Sequence, residues 1–143
     1  MPKTDNRTVG GKFEQEFAEF LHEHGFWAHV MQQNKAGQPS DIIAAKGKFH
    51  TLIDCKVCDS DTFPFDHIRD NQLLAMRMFQ RLCGELCYFA LKFPEREIRM
   101  VSLERLETLK NRGKKGLSKK DLDNETWHID EWLKAADEWG KDL

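Results

Sequence analysis

The chain has 143 residues and a net charge near -2, enough length for one domain with a real core. Its hydrophobic share of 40% and charged share of 32% fit a soluble globular protein. No apolar run approaches a membrane span, and Met1 to Asp5 lack the apolar segment of a signal peptide, so a cytoplasmic protein is expected, in a bacterial or phage-infected cell. The near-neutral charge does not advertise a nucleic-acid binder, so any such contact must come from local clusters.

Residues 1–10 are polar, end in Gly10-Gly11 and read as a mobile arm carrying Lys3 and Arg7. A helix is expected from Lys12, with Phe13, Phe17, Phe20 and Leu21 at helical spacing and Gly25 as its stop. Glu14 lies beside that apolar stripe. Phe26 to Gln32 is expected as a strand and Asn34 to Gln38 as a loop. Two apolar runs, Asp41 to Ala45 and Leu52 to Val57, flank Lys46-Gly47-Lys48, which reads as a turn. A polar loop, Cys58 to Thr62, is ended by Phe63-Pro64-Phe65. A second helix is expected from about Asp66 to Leu82, with Gln72 the one polar member of its apolar face.

Leu86 to Leu91 is nearly all apolar and reads as a central strand. Ile98 to Val101 is a further strand, and Leu103 to Leu109 a short helix. Residues 110–120 read as a basic, glycine-punctuated loop. The last helix covers about Asp130 to Trp139, with Trp132, Leu133, Ala136 and Trp139 along one side. No internal repeat or interdomain linker interrupts this order. The expectation is one domain over 1–143, with a C-terminal helical extension over about 103–143.

The chemistry concentrates in the two runs around Gly47. Alternate strand residues share a face, so Asp54 and Lys56 point one way and Ile53, Cys55 and Val57 the other. Desolvating an unpaired charge in a core strand costs several kcal/mol, so Asp54 and Lys56 need a partner, a cavity or a metal. Hairpin pairing lets Asp41 approach Asp54, and two carboxylates in a small space repel unless a cation lies between them. The bland alternative is an ion pair of Lys56 with one of these acids, serving structure only; it leaves Glu14 and Gln72 unexplained.

Pro39-Ser40-Asp41 followed by Asp54-Cys55-Lys56 resembles the PD-(D/E)XK nuclease superfamily. The resemblance implies a restriction-endonuclease-like α/β fold: a mixed central sheet flanked by helices, with an α-β-β-β-α-β core. Gly10-Gly11-Lys12-Phe13-Glu14, Phe63-Pro64-Phe65, Gln72 and Leu91-Lys92-Phe93 extend the match, in order, to RecU-type Holliday junction resolvases over about residues 10–105. Such resolvases usually carry a glutamate where this chain has Asp54. They also carry a stalk-like insertion, for which the short Asn34–Gln38 loop leaves little room, as in a compact, phage-type relative.

By this resemblance Glu14, Asp41, Asp54, Lys56 and Gln72 form the catalytic set. Asp41, Asp54 and the Cys55 backbone carbonyl are the implied ligands of Mg²⁺, with Mn²⁺ able to substitute, and Glu14 holds a metal-bound water. Hard oxygen donors suit either ion. Lys56 is placed to orient or deprotonate the attacking water. The implied function is a metal-dependent endonuclease cutting four-way DNA junctions in recombination or repair, acting as a homodimer. The alternatives are another nuclease of the superfamily, for repair, restriction or DNA ends, and a nuclease-like fold that only binds DNA or protein.

Other signals are set against simpler readings. Cys55, Cys58, Cys83 and Cys87 supply four thiols, but strand placement of Cys55 and Cys87 suits small core residues better than zinc. Trp127, Trp132 and Trp139 suit a core or a subunit contact better than base stacking. Lys110, Arg112, Lys114, Lys115, Lys119 and Lys120 give the 110–120 segment six positive charges and no acid. That density makes it a candidate phosphate contact, joined by Arg7 and Lys12 near Glu14.

Overall fold

The computed structural model describes residues 6–32, 40–94 and 97–141, with side chains described from Gly11 onward. In chain order the elements are helix α1 (Asn6–Glu23) and strands β1 (Trp27–Val30), β2 (Ile42–Lys46), β3 (Phe49–Val57) and β4 (Phe63–Pro64). A 3₁₀ turn over Phe65–His67 leads into α2 (Asp70–Cys83), β5 (Tyr88–Lys92) and β6 (Arg99–Ser102). Then come α3 (Leu103–Asn111), β7 (Gly116–Leu117), α4 (Lys119–Glu125), β8 (Trp127–His128) and α5 (Ile129–Trp139).

Six strands form the central sheet in the order β1-β2-β3-β5-β6-β8. Only β3 and β5 run parallel; the remaining neighbours are antiparallel. A parallel pair needs a crossover, and α2 supplies it. The expected α-β-β-β-α-β core is therefore present, as α1, β1 to β3, α2 and β5.

Period-2 alternation divides the buried residues between two faces. On one face Phe17 and Leu21 of α1 and Trp132 of α5 pack with Ile42, Ile53, Cys55 and Tyr88. On the other, Met76 of α2 and Leu103 and Leu106 of α3 pack with Leu52, Phe89 and Leu91. Asp54 and Lys56 share the second face with Leu52, as their register requires. Cys55 lies in the first core and Cys87 in the second, so the thiols do not converge on one zinc.

Several expectations need correction. The N-terminal segment is not an arm up to Gly10, because α1 already begins at Asn6; the Arg7 side chain, the Asn34–Gln38 loop and Pro39 lie outside the described residues. The strand expected over Phe26 to Gln32 is limited to Trp27–Val30. The second helix starts at Asp70, since Phe65–His67 is a separate 3₁₀ turn.

The 110–120 segment is not a loop. Leu117 is 1% exposed, and β7 pairs antiparallel with β4 through Phe63↔Leu117 and Pro64↔Gly116. The backbones meet closely there: a Cβ on Gly116 would lie 2.7 Å from the Phe63 carbonyl oxygen. Ser118 then caps α4 by accepting from the Asp121 N–H at 3.2 Å. Residues 103–141 are also not purely helical, because β8 extends the central sheet through Arg99↔His128 and Met100↔Trp127.

Candidate active site

The β2–β3 hairpin does what its sequence requires. Ile42 pairs with Ile53, and the Asp41 N–H donates to the Ile53 carbonyl at 3.2 Å. The Met31 N–H donates to the Asp41 carbonyl at 2.8 Å. Backbone from two other chain segments, at Met31 and along β3, thus fixes Asp41, whose Oδ2 accepts the Cys55 N–H at 2.7 Å. Ser40 is fully buried, and its hydroxyl donates to the Ile42 carbonyl at 3.0 Å; that is a strand-end role.

Asp54 is completely buried. Gln72, one turn into α2, donates from Nε2 to Asp54 Oδ1 at 2.7 Å. The Gln72 Oε1 faces Lys56 Nζ and the Arg69 N–H, each at 3.5 Å. The one polar residue on the α2 face is therefore held between the acid and the lysine of β3. Lys56 Nζ lies 3.0 Å from Asp54 Oδ2, yet that oxygen accepts no aligned hydrogen bond.

Three carboxyls interact here: Asp41 with Asp54, and Glu14 of α1 with Asp41. Asp54 is pushed up to about 7, by burial first and the Asp41 charge next, with Lys56 opposing the rise. Burial likewise raises Asp41 and Glu14 above the usual carboxylate range. Burial also keeps the Cys55 thiol protonated, so only its backbone is a plausible ligand.

Among the described residues no group of three or more His, Cys, Asp or Glu side chains could hold an ion alone. Asp41 and Asp54 bring hard carboxylate oxygens to one buried place, a chemistry that suits a divalent cation keeping several waters. Asp54 Oδ2 faces Lys56 alone, and acids raised chiefly by burial gain from a cation set among them.

The structure thus brings Glu14, Asp41, Asp54, Lys56 and Gln72 together. The basic residues diverge. Lys12 is exposed on α1 and lies 3.9 Å from Glu16. Lys110 and Lys115 border a cleft of about 680 Å³ with Phe65, Ile68 and Asp70, beside the turn that carries Gln72. Lys114 lines the same cleft but is committed to Asp121, with Nζ donating at 2.7 and 2.8 Å. Arg112, Lys119 and Lys120 are exposed. Lys92, which the sequence offered only within Leu91-Lys92-Phe93 and not as a site residue, ends β5 with Nζ 5.5 Å from the Phe13 ring and 3.9 Å from Glu16. Its signal in the sequence is a lone cation closing an apolar strand.

The sheet order, with the acids on the hairpin and the lysine two residues past the second acid, defines a nuclease of the restriction-endonuclease-like, PD-(D/E)XK class. Residues 5–136 match the family described as archaeal Holliday junction resolvase (Hjc). The chain belongs to that family, and a junction-resolving nuclease is the function this supports. Among solved structures it is similar to Hjc of Archaeoglobus fulgidus, a Holliday junction resolvase from an archaeal hyperthermophile. The TM-score is 0.70 and the identity 23%, covering 87% of this chain and 99% of that one. A search of curated proteins found no match.

Proposed function

We propose that the chain cuts four-way DNA junctions as a Mg²⁺-dependent homodimer, the whole chain acting as one nuclease domain in the cytoplasm during recombination or repair. The observation that carries this is the meeting of Asp41, Asp54, Lys56 and Gln72 in one place, with the two acids buried. Asp41, Asp54 and the Cys55 carbonyl hold the cation, and Glu14 reaches it through water. When bound, the ion supplies charge stabilisation at the scissile phosphate and a more acidic water.

The protein's own groups do the rest. Lys56 orients the attacking water and offsets phosphate charge. Gln72 positions both Asp54 and Lys56. Lys12, Lys110, Lys115 and Lys92 hold the phosphate backbone, with Arg7, Arg112, Lys119 and Lys120 further out. Resolution takes two symmetric cuts, which a two-fold dimer supplies. A compact, phage-type kinship to RecU enzymes rests on the motif run and the short 34–38 segment alone.

Cleavage of a four-way junction is measured against linear duplex of the same sequence, with and without Mg²⁺. The expected result is paired cuts in the junction only when Mg²⁺ is present. Equal cutting of linear duplex points to another nuclease of the superfamily. Full activity in chelator removes the metal assignment.

A further inference from the structure

Two tryptophans of the C-terminal region are not absorbed by the core. Trp132 is fully buried, but Trp127 of β8 and Trp139 of α5 are 40% and 38% exposed. Their ring planes stand at 88° with centroids 5.9 Å apart, so they form two walls of a corner. Tyr88 of β5 is buried, lies parallel to Trp139 at 6.1 Å and closes the corner from within. The corner opens into a cleft of about 490 Å³, which Glu104 and Arg105 of α3 and Glu125 of α4 also line.

The charges around this corner do not balance. Arg105 is the one cation among the lining residues, and its Nε lies 3.5 Å from Glu125 Oε2. Glu104 pairs with no cation among the described residues. Its charge and that of Glu85 both bear on the Tyr88 phenol. Indole faces are electron-rich and attract a cation held within about 6 Å of the ring centroid. Two exposed indoles set at right angles beside an unpaired carboxylate therefore suit a cationic head on an apolar stem, and repel a phosphate.

We propose that this cleft binds an arginine or lysine side chain presented by a basic segment of a partner protein. The site goes beyond the nuclease reading and does not depend on it. Its position leaves the catalytic groups free. Asp41 and Asp54 belong to the β2–β3 side of the sheet, whereas the cleft lies past β5, toward β6 and β8. Neighbouring strands are about 4.8 Å apart, so β8 stands roughly 14 Å from β3. As the last strand of the sheet, β8 also offers backbone groups beside Trp127 to an extended segment.

The test uses the full chain and a peptide with one arginine flanked by glycines. The same peptide with neutral citrulline is the control. Indole N–H signals followed by heteronuclear NMR are expected to shift saturably for Trp127 and Trp139 with the arginine peptide only. Trp27, on the opposite edge strand β1, should stay in place. Glu104→Gln and Trp127→Leu should each weaken binding about 3- to 30-fold and leave junction cleavage unchanged. Glu104 is exposed, so its variant is expected to fold normally. Equal shifts with both peptides, or none at millimolar peptide, overturn the recognition of a cation. Affinity that both variants leave unchanged places the peptide elsewhere and overturns the cleft. Free spermidine binding as tightly as the peptide makes the cleft a small-amine site and overturns the protein partner. Shifts of Trp127 and Trp139 on dilution of the chain alone mark a second copy as the occupant and overturn it too.

Discussion

At the scale of single residues, the role proposed for Asp54 ties activity to stability. Its folded pKa is raised to about 7 from 3.8, so between these values the folded state binds more protons than the unfolded state. Stability must then fall as pH rises through that window, and level off above about 7. In the absence of divalent ions, the wild type should lose up to a few kcal/mol from this group between pH 4 and pH 8. Asp54→Asn removes the buried charge while keeping the shape that Gln72 contacts. It should abolish cleavage, retain junction binding, and melt at a higher temperature than the ion-free wild type at pH 8. At pH 5 the two should nearly coincide, as melting curves at both pH values will show. Adding Mg²⁺ at pH 8 should raise the wild-type melting temperature and leave that of Asp54→Asn in place.

Gln72 acts through its neighbours. Gln72→Ala frees both Asp54 and Lys56, so turnover should fall about 10- to 100-fold, the usual loss when a partner of a metal ligand is removed. Junction affinity in Ca²⁺ should be unchanged, since Gln72 is buried away from phosphate. These residues were legible in the sequence because each breaks a pattern: Asp54 and Lys56 interrupt an apolar strand, and Gln72 interrupts an apolar helix face. Lys92 closes an apolar strand, and a single cation at a strand end is too common a pattern to mark a site.

At the scale of elements, the 110–120 segment shows where a charge count misleads. Six cations in eleven residues read as a loop, but Leu117 was the one apolar residue that β7 needed to pair with β4. Ser118 and Asp121 are three residues apart, the spacing of a helix start. That signal was present and was outweighed by the flanking lysines. Asp121 now joins α4 to the preceding turn, and the Lys114 ammonium beside it holds its carboxyl below the usual range.

The roles within the segment therefore differ. Lys114→Ala should lower stability with little change in DNA affinity. Lys110→Ala with Lys115→Ala should leave stability alone and weaken junction binding most at low salt. Each phosphate contact contributes about -0.9 to the slope of log affinity against log salt, so the double change should flatten it by up to about two. Binding isotherms across a salt series separate the two cases, and an unchanged slope for the double variant would retire the cleft as a DNA contact.

At the scale of the whole molecule, the β2–β3 hairpin and the C-terminal helix hold each other. Trp132 of α5 is fully buried, stacked on Phe26 at 5.7 Å and edge-on to Phe49 at 5.9 Å. Lys46 at the hairpin turn pairs with Asp137 of α5, and the Lys48 N–H donates to the Gly140 carbonyl at 3.0 Å. The sequence showed α5 as an amphipathic helix, but not what its tryptophan covered, because that partner lies some eighty residues away on β3.

Glycine makes the approach possible. Gly47 has φ +58°, and a Cβ there would stand 2.1 Å from the Gly140 carbonyl oxygen. Gly84, after α2, has a comparable φ of +73°, with nothing within 4 Å of a Cβ. Alanine at Gly84 meets only the left-handed backbone penalty, roughly 1–2 kcal/mol. Alanine at Gly47 meets that penalty and also drives α5 off the hairpin, so its urea midpoint should fall distinctly further. Trp132→Ala should cost about 3–5 kcal/mol, a large share of a domain's ~5–15 kcal/mol. The site shares this hairpin, so Gly47→Ala should also loosen Asp41 from the Cys55 N–H and slow cleavage at temperatures where the chain is still folded. Gly84→Ala should not. Equal midpoints and equal cleavage rates for the two alanine variants would show that α5 rests on the hairpin without bracing it.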